Sequence, residues 1–295
     1  MDRKQSEEWQ SRAARTLNST ACFSLAYVII TYLLWISTGL GGKLYKLDSF
    51  VYYYGIKFIL NGHAWNKLQV VFVYASGPAF ILFAALFALF LYKRLKHIRS
   101  VLNVFFLWVF VIGISIFLSQ FFIASLGLYH YNSIYYQSLA VSFAWLGIPV
   151  YVVYTLNVFV VLIIIYLGVN CARPFLVFSF SYSKVNNLVR RRRYFFETAL
   201  VPFILGSLIS IIAVFPKDLN AKNILILLAS THLIYFLVTG AILTIGWLSL
   251  AYVEMSKPEL VRYKSLQTPN VVIIVFTVIS WAVIYIAFRG VCFSS

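Results

Sequence analysis

Seven apolar stretches, each near or above the ~20 residues that cross about 30 Å of hydrocarbon, recur along this chain. A segment in lipid has no water to bond its backbone, so it must satisfy its own N–H and C=O groups. Stretches of this length therefore become helices. They read as spans over 19–38, 69–92, 101–126, 138–168, 194–215, 223–251 and 270–288. The rest of the composition agrees: 62% of the residues are hydrophobic and 11% charged, against roughly 45–50% and about 25% in a soluble domain. A soluble enzyme, a disordered chain and a disulfide-framed secreted domain are excluded. The expected fold class is all-α, a polytopic integral membrane protein with one transmembrane domain over residues 1–295.

Two stretches carry signals of their own. The 31 residues of 138–168 would extend about 46 Å as one helix. Gly147-Ile148-Pro149 is the natural place for a break. Conversely, Phe50–Leu60 is eleven residues with Lys57 inside it, too short to cross. A short re-entrant or interfacial helix is expected over 50–63, with Tyr52, Tyr53, Tyr54 and Trp65 suited to the headgroup zone. Gly39, Gly41 and Gly42 are expected to end the first span.

Basic residues set the orientation. Lys and Arg number 24 against 8 Asp and Glu, a net charge of +16. On a soluble protein this excess would point to nucleic acid; beside membrane spans it marks the cytoplasmic side. With residues 1–18 inside, inner segments hold 17 basic residues and outer segments 7. The expected arrangement is N-terminus cytoplasmic, C-terminus outside, in a cytoplasmic or inner membrane. Residues 1–18 carry Asp2, Glu7 and Glu8 where a signal peptide would be basic, so they are expected to lead into a retained first span. The sequon at Asn18 would then face inward. Cys22, Cys171 and Cys292 are too far apart to form a metal motif.

Acidic side chains avoid the expected bilayer core. Glu197 lies one turn into the fifth span, just after Arg190, Arg191, Arg192 and Arg193, and is expected to form a local ion pair. The absence of mid-membrane carboxylates counts against proton-coupled transport and intramembrane aspartyl proteolysis. The four arginines form a topology anchor and an attractive patch for anionic lipid. Within the spans, Gln120, Asn157 and His232 (beside Ser230 and Thr231) either join helices by hydrogen bonds or line a small polar cavity. His97 and His130 fall in expected loops.

One constellation has a family likeness. The expected short helix ends at Asn61-Gly62-His63-Ala64-Trp65-Asn66-Lys67, and Ser76-Gly77-Pro78 follows, leading into a long apolar helix. This order, over about 48–126, resembles the site-2-protease-like intramembrane zinc metalloproteases, in which His-Glu-x-x-His on one helix precedes a small-Gly-Pro step on the next. The resemblance implies His63 as first metal ligand. Ala64 replaces the glutamate that would activate water, Lys67 replaces the second histidine, and no Asp-Gly ligand step follows. It therefore implies a degenerate, non-catalytic relative, with Ser76, Gly77 and Pro78 as a helix-packing motif.

The chain thus reads as a non-catalytic scaffold or interaction subunit without a cofactor, its partners being the lipid bilayer and another membrane protein rather than nucleic acid. The alternatives are a small-solute transporter or channel using Gln120, Asn157 and His232, and a residual metalloenzyme at His63.

Overall fold

The computed structural model describes residues 3–52, 55–59, 65–95, 101–129, 137–179, 182–214, 222–253, 268–287 and 291–293. Its elements in order are α1 (Arg3–Leu44), β1 (Asp48–Tyr52), β2 (Gly55–Ile59), α2 (Lys67–Leu95), α3 (Val101–Tyr129), α4 (Leu139–Leu146) and α5 (Val150–Val177). A 3₁₀ turn at Tyr182–Lys184 leads to α6 (Leu188–Phe195), a π turn at Phe196–Leu200, α7 (Val201–Val214), α8 (Lys222–Ser249), α9 (Val271–Ala287) and β3 (Val291–Phe293). Among the described residues, α1, α2, α3, α5, the run from α6 into α7, and α8 are six helices long and apolar enough to cross a membrane. The seventh expected stretch forms α9, a shorter apolar helix.

Helix α1 is the axis of the bundle. It packs against α2, α3, α7, α9 and the sheet, and buries Cys22, Phe23, Ala26, Tyr27, Ile30 and Leu34. It does not stop at its glycines as expected but runs through them to Leu44. The glycines serve close approach instead. A Cβ at Gly39 would meet Val51 Cγ2 at 3.1 Å, and one at Gly41 would meet Ser76 Oγ at 2.6 Å. With no side chain there, the sheet and α2 can both lie against the helix backbone.

The helix expected over 50–63 is corrected to a hairpin. Strands β1 and β2 pair antiparallel with Val51 opposite Ile56 and Ser49 opposite Phe58. Strand β3, from the far end of the chain, pairs antiparallel on the other side of β1, with Phe50 opposite Cys292. β-branched and aromatic residues such as Val51, Tyr52, Ile56 and Phe58 favour extended backbone, and β1 alternates half-buried and buried positions, with Ser49 and Val51 inward. Residues 60–63 of that expected helix lie outside the described residues.

The break within 138–168 falls where Gly and Pro place it. Gly147 adopts the left-handed conformation at φ 73° and closes α4, its N–H donating to Ala144 O. Pro149 then caps the start of α5. Helix α4 is a short piece packed against α2 and α3, and α5 continues past the expected end at 168 to Val177. The fifth span also starts earlier than expected: Asn187 caps α6 by accepting from Arg190 N at 2.9 Å. Arg190–Arg193 are therefore part of that helix rather than a segment before it.

Two ends of the bundle can be distinguished. At one, Asn18 is fully buried, donates to Thr268 O at 2.8 Å and accepts from Asn270 N at 2.7 Å, while Arg15 meets Glu197. At the other, β1 meets β3 and Lys67 Nζ reaches Leu146 O at 3.5 Å. Helix α9 starts beside Asn18 and its 17 residues rise about 26 Å before β3 joins the sheet.

Candidate functional site

A π turn between α6 and α7 positions a cluster of charged side chains. In the π turn, Val201 N–H donates to Phe196 O, which leaves Glu197 O without its usual helical donor. Pro202 has no N–H for Thr198 O. Both freed carbonyls are taken by α1: Thr16 Oγ1 donates to Glu197 O at 2.9 Å, and Ser19 Oγ to Thr198 O at 2.6 Å. Trp108 Nε1 on α3 donates in turn to Ser19 Oγ at 2.9 Å. Three helices are thereby locked at the point where Glu197 projects.

Glu197 collects arginines from two helices. Arg15 Nη2 lies 3.0 Å from Oε2, Arg193 Nε 3.3 Å from Oε1, and Arg12 Nε 3.8 Å from Oε1. Arg15 is only 5% exposed; it also donates to Ser11 Oγ at 2.9 Å, and its guanidinium sits 5.5 Å from the Tyr194 ring centroid. The ion pair expected within the α6 segment is present as Arg193–Glu197, but the buried contact comes from α1, 182 residues away. Nothing local in the sequence marks Arg15 or Arg12 for this role.

The four consecutive arginines divide. Arg190 and Arg193 line a cavity of about 260 Å³ together with Arg12, Arg15, Lys184, Ser183, Tyr194 and Glu197. Arg190 Nη1 is held by Ser183 O at 2.7 Å. Arg191 instead donates to Leu250 O at 3.4 Å, and Arg192 stacks over Trp247 at 4.7 Å, both at the end of α8. The expected patch is thus two pairs with different surroundings, because successive residues on a helix point ~100° apart.

The three polar span residues also divide. His232 on α8 shares a hydrogen bond through Nδ1 with Tyr27 OH on α1, and Gln120 Nε2 on α3 donates to Tyr235 OH on α8 at 2.9 Å. The His232 and Tyr235 rings meet edge-on at 5.6 Å, so Gln120 and His232 belong to one buried group. Asn157 does not join it, donating to Ser125 Oγ at 3.0 Å between α5 and α3. Of the three, Gln120 and His232 come together while Asn157 lies on a separate interface. Neither the basic cavity nor the larger groove beside it is lined by any of the three.

Ser76-Gly77-Pro78 lies inside α2 rather than at the opening of a helix. Ser76 Oγ donates to Ser37 O at 3.2 Å, and Gly77 faces Leu34 and Thr38. A Cβ at Gly77 would sit 2.9 Å from Leu34 O and 3.0 Å from Leu34 Cδ1. Alanine is the better helix former, so Gly77→Ala would stabilise a loosely packed α2. Here the opposite is expected, a loss of about 1–3 kcal/mol from overpacking, read as a lower unfolding temperature in detergent. His63 and Ala64 lie outside the described residues; Lys67 is exposed at the start of α2. Among the described residues, no three His, Cys, Asp or Glu side chains gather as metal ligands. No family model, curated protein or solved structure matches the chain.

Proposed function

We propose that this chain is a non-catalytic multi-pass protein of a cytoplasmic or inner membrane, acting as a scaffold or interaction subunit. The observation that carries this reading is the use of the interior polar groups. Tyr27 with His232, Gln120 with Tyr235, Asn157 with Ser125, and Asn18 with Thr268 and Asn270 each join one segment to another. Such bonds within a bundle average ~0.6 kcal/mol, and these leave the interior as a fastened core. Within this proposal Ser76-Gly77-Pro78 is packing retained from a metalloprotease-like ancestor, with Ala64 and Lys67 standing where its chemistry would need Glu and His. Chemistry open to partners lies outside: the basic end, and apolar flanks such as the ring ladder Phe80, Phe83, Phe87 and Phe90 on α2.

The same proposal takes seven spans, N-terminus inside and C-terminus outside. It is supported by the basic residues dividing 17 to 7, and by α9 starting beside Asn18 and leading to the sheet at the far end. Cys292 is exposed while Cys22 and Cys171 are buried, so the native cysteines report on orientation. A membrane-impermeant maleimide should label Cys292 in right-side-out vesicles; labelling only in inverted vesicles would reverse the topology. For function, cross-linking in the membrane followed by mild-detergent purification should give a complex of fixed stoichiometry. A lone monomer that moves a solute in proteoliposomes would overturn the scaffold reading.

A further inference from the structure

The basic cavity does not stand alone. Beside it runs an open groove of about 1190 Å³ between the first turns of α1 and the outer face of α7, and Arg12, Arg193 and Glu197 line both spaces. The groove wall is mainly apolar, with Trp9, Ala13 and Leu17 on one side and Leu205, Leu208 and Ile209 on the other. The cavity wall is the reverse: among the described residues it carries five cationic side chains, Arg12, Arg15, Lys184, Arg190 and Arg193, and the carboxylate of Glu197. Arg15 is nine-tenths buried or more, and its Nε has no hydrogen-bond partner.

We infer that cavity and groove form one binding site for an anionic phospholipid, its phosphate received among Arg12, Arg190 and Arg193 and an acyl chain laid along Leu205, Leu208 and Ile209. Charge complementarity and continuity select this occupant. Guanidinium forks match phosphate oxygens in pairs. At about 260 Å³ the cavity falls short of the ~300 Å³ where pockets for whole drug-sized ligands begin, so it takes a headgroup and not an entire amphiphile. A soluble anion would leave the adjoining groove unused, and a purely apolar ligand would place hydrocarbon against the guanidiniums of Arg190 and Arg193. The site lies at the end of the bundle where α1, α6 and α7 meet, the level at which a lipid headgroup sits if this end is at the bilayer surface. The inference rests on that placement and is independent of the scaffold role.

The arginine run supplies its own control. Arg190 and Arg193 line the cavity, whereas Arg191 and Arg192 contact Leu250 and Trp247. A diffuse basic patch would respond equally to loss of either pair; a built site would not. Native mass spectrometry of the detergent-solubilised full chain, titrated with dioleoylphosphatidylglycerol or dioleoylphosphatidylcholine, reads this directly. One phosphatidylglycerol should bind in preference to phosphatidylcholine. Arg190→Gln with Arg193→Gln should weaken it by about tenfold or more, and Arg191→Gln with Arg192→Gln should not. Ala13→Trp, on an exposed groove position, should weaken lipid binding by narrowing the acyl path. Each variant is checked for parental circular dichroism without added lipid and read as the ratio of phosphatidylglycerol to phosphatidylcholine bound, which a small loss of stability does not move. Equal weakening by both arginine pairs, full phosphatidylglycerol binding in Ala13→Trp, or inorganic phosphate binding as tightly as phosphatidylglycerol in the same titration would each overturn the inference. Because Cys292 labelling reports orientation separately, a wrong topology and a wrong ligand are distinguishable.

Discussion

Glu197→Gln should lower stability by about 3 kcal/mol, the lower end of the ~3–5 kcal/mol seen when one partner of a buried ion pair is removed. The reason lies with the arginine left behind. Arg15 is 5% exposed and fixed by the surrounding helices, so it cannot turn to water when its carboxylate is gone. Glu197 is itself 18% exposed, which moderates the loss. Arg193→Gln removes a contact to the same carboxylate from a side chain that is 61% exposed, and should cost less than ~1 kcal/mol. Thermal unfolding of the three proteins in one detergent decides the point. A Glu197→Gln variant as stable as Arg193→Gln would show that the Arg15 contact is not the anchor of α1 against the π turn.

Trp108→Ala should be comparably damaging, by about 3–5 kcal/mol. Trp108 is fully buried and contacts Phe23 and Phe175 edge-on, each at 5.0 Å between centroids. Truncation would leave a void between α1, α3 and α5 that neighbouring rings cannot fill. Trp108→Phe separates packing from hydrogen bonding. It removes the bond to Ser19 Oγ but leaves Ser19 donating to Thr198 O, so about 1 kcal/mol should be lost. The ordering Ala much worse than Phe is the expected result. Equal losses would assign the role of Trp108 to its N–H and not to its volume.

The two predictions meet at one place because α1 supplies the hydroxyls that complete the helix across Pro202. That proline is plain in the sequence, yet the consequence is not. A missing N–H frees a carbonyl locally, but which group answers it depends on what packs alongside. Thr16 and Ser19 answer it here, from more than 170 residues away. The same limit applies to Arg15. A basic residue before a first span reads as a topology signal, and its burial against Glu197 arises only once α1 and α7 are side by side.

Elsewhere the local signals were sufficient. Gly147 and Pro149 break the long fourth stretch where their backbone preferences require it. The expected helix over 50–63 failed for an equally physical reason. An evenly apolar run of eleven residues has no period to separate strand from helix, and the partner that makes β1 the central strand is β3, at the other end of the chain. Gly39, Gly41 and Gly42 misled similarly, since a glycine inside a packed helix and a glycine that ends one look the same in sequence.

By itself the sequence determined that this is a helical chain rich in segments fit to cross a membrane, where its fourth stretch breaks, and how its basic residues distribute. Those properties depend on length, hydropathy and backbone preference, which act over a few neighbouring residues. Only the tertiary structure decided that β1 lies between β2 and β3, that Gln120 and His232 share a group without Asn157, and that Arg190 and Arg193 join Arg12 and Arg15 around Glu197 while Arg191 and Arg192 turn away. Those outcomes depend on which helix faces which, and a helix surface turning ~100° per residue gives neighbours in sequence different neighbours in space.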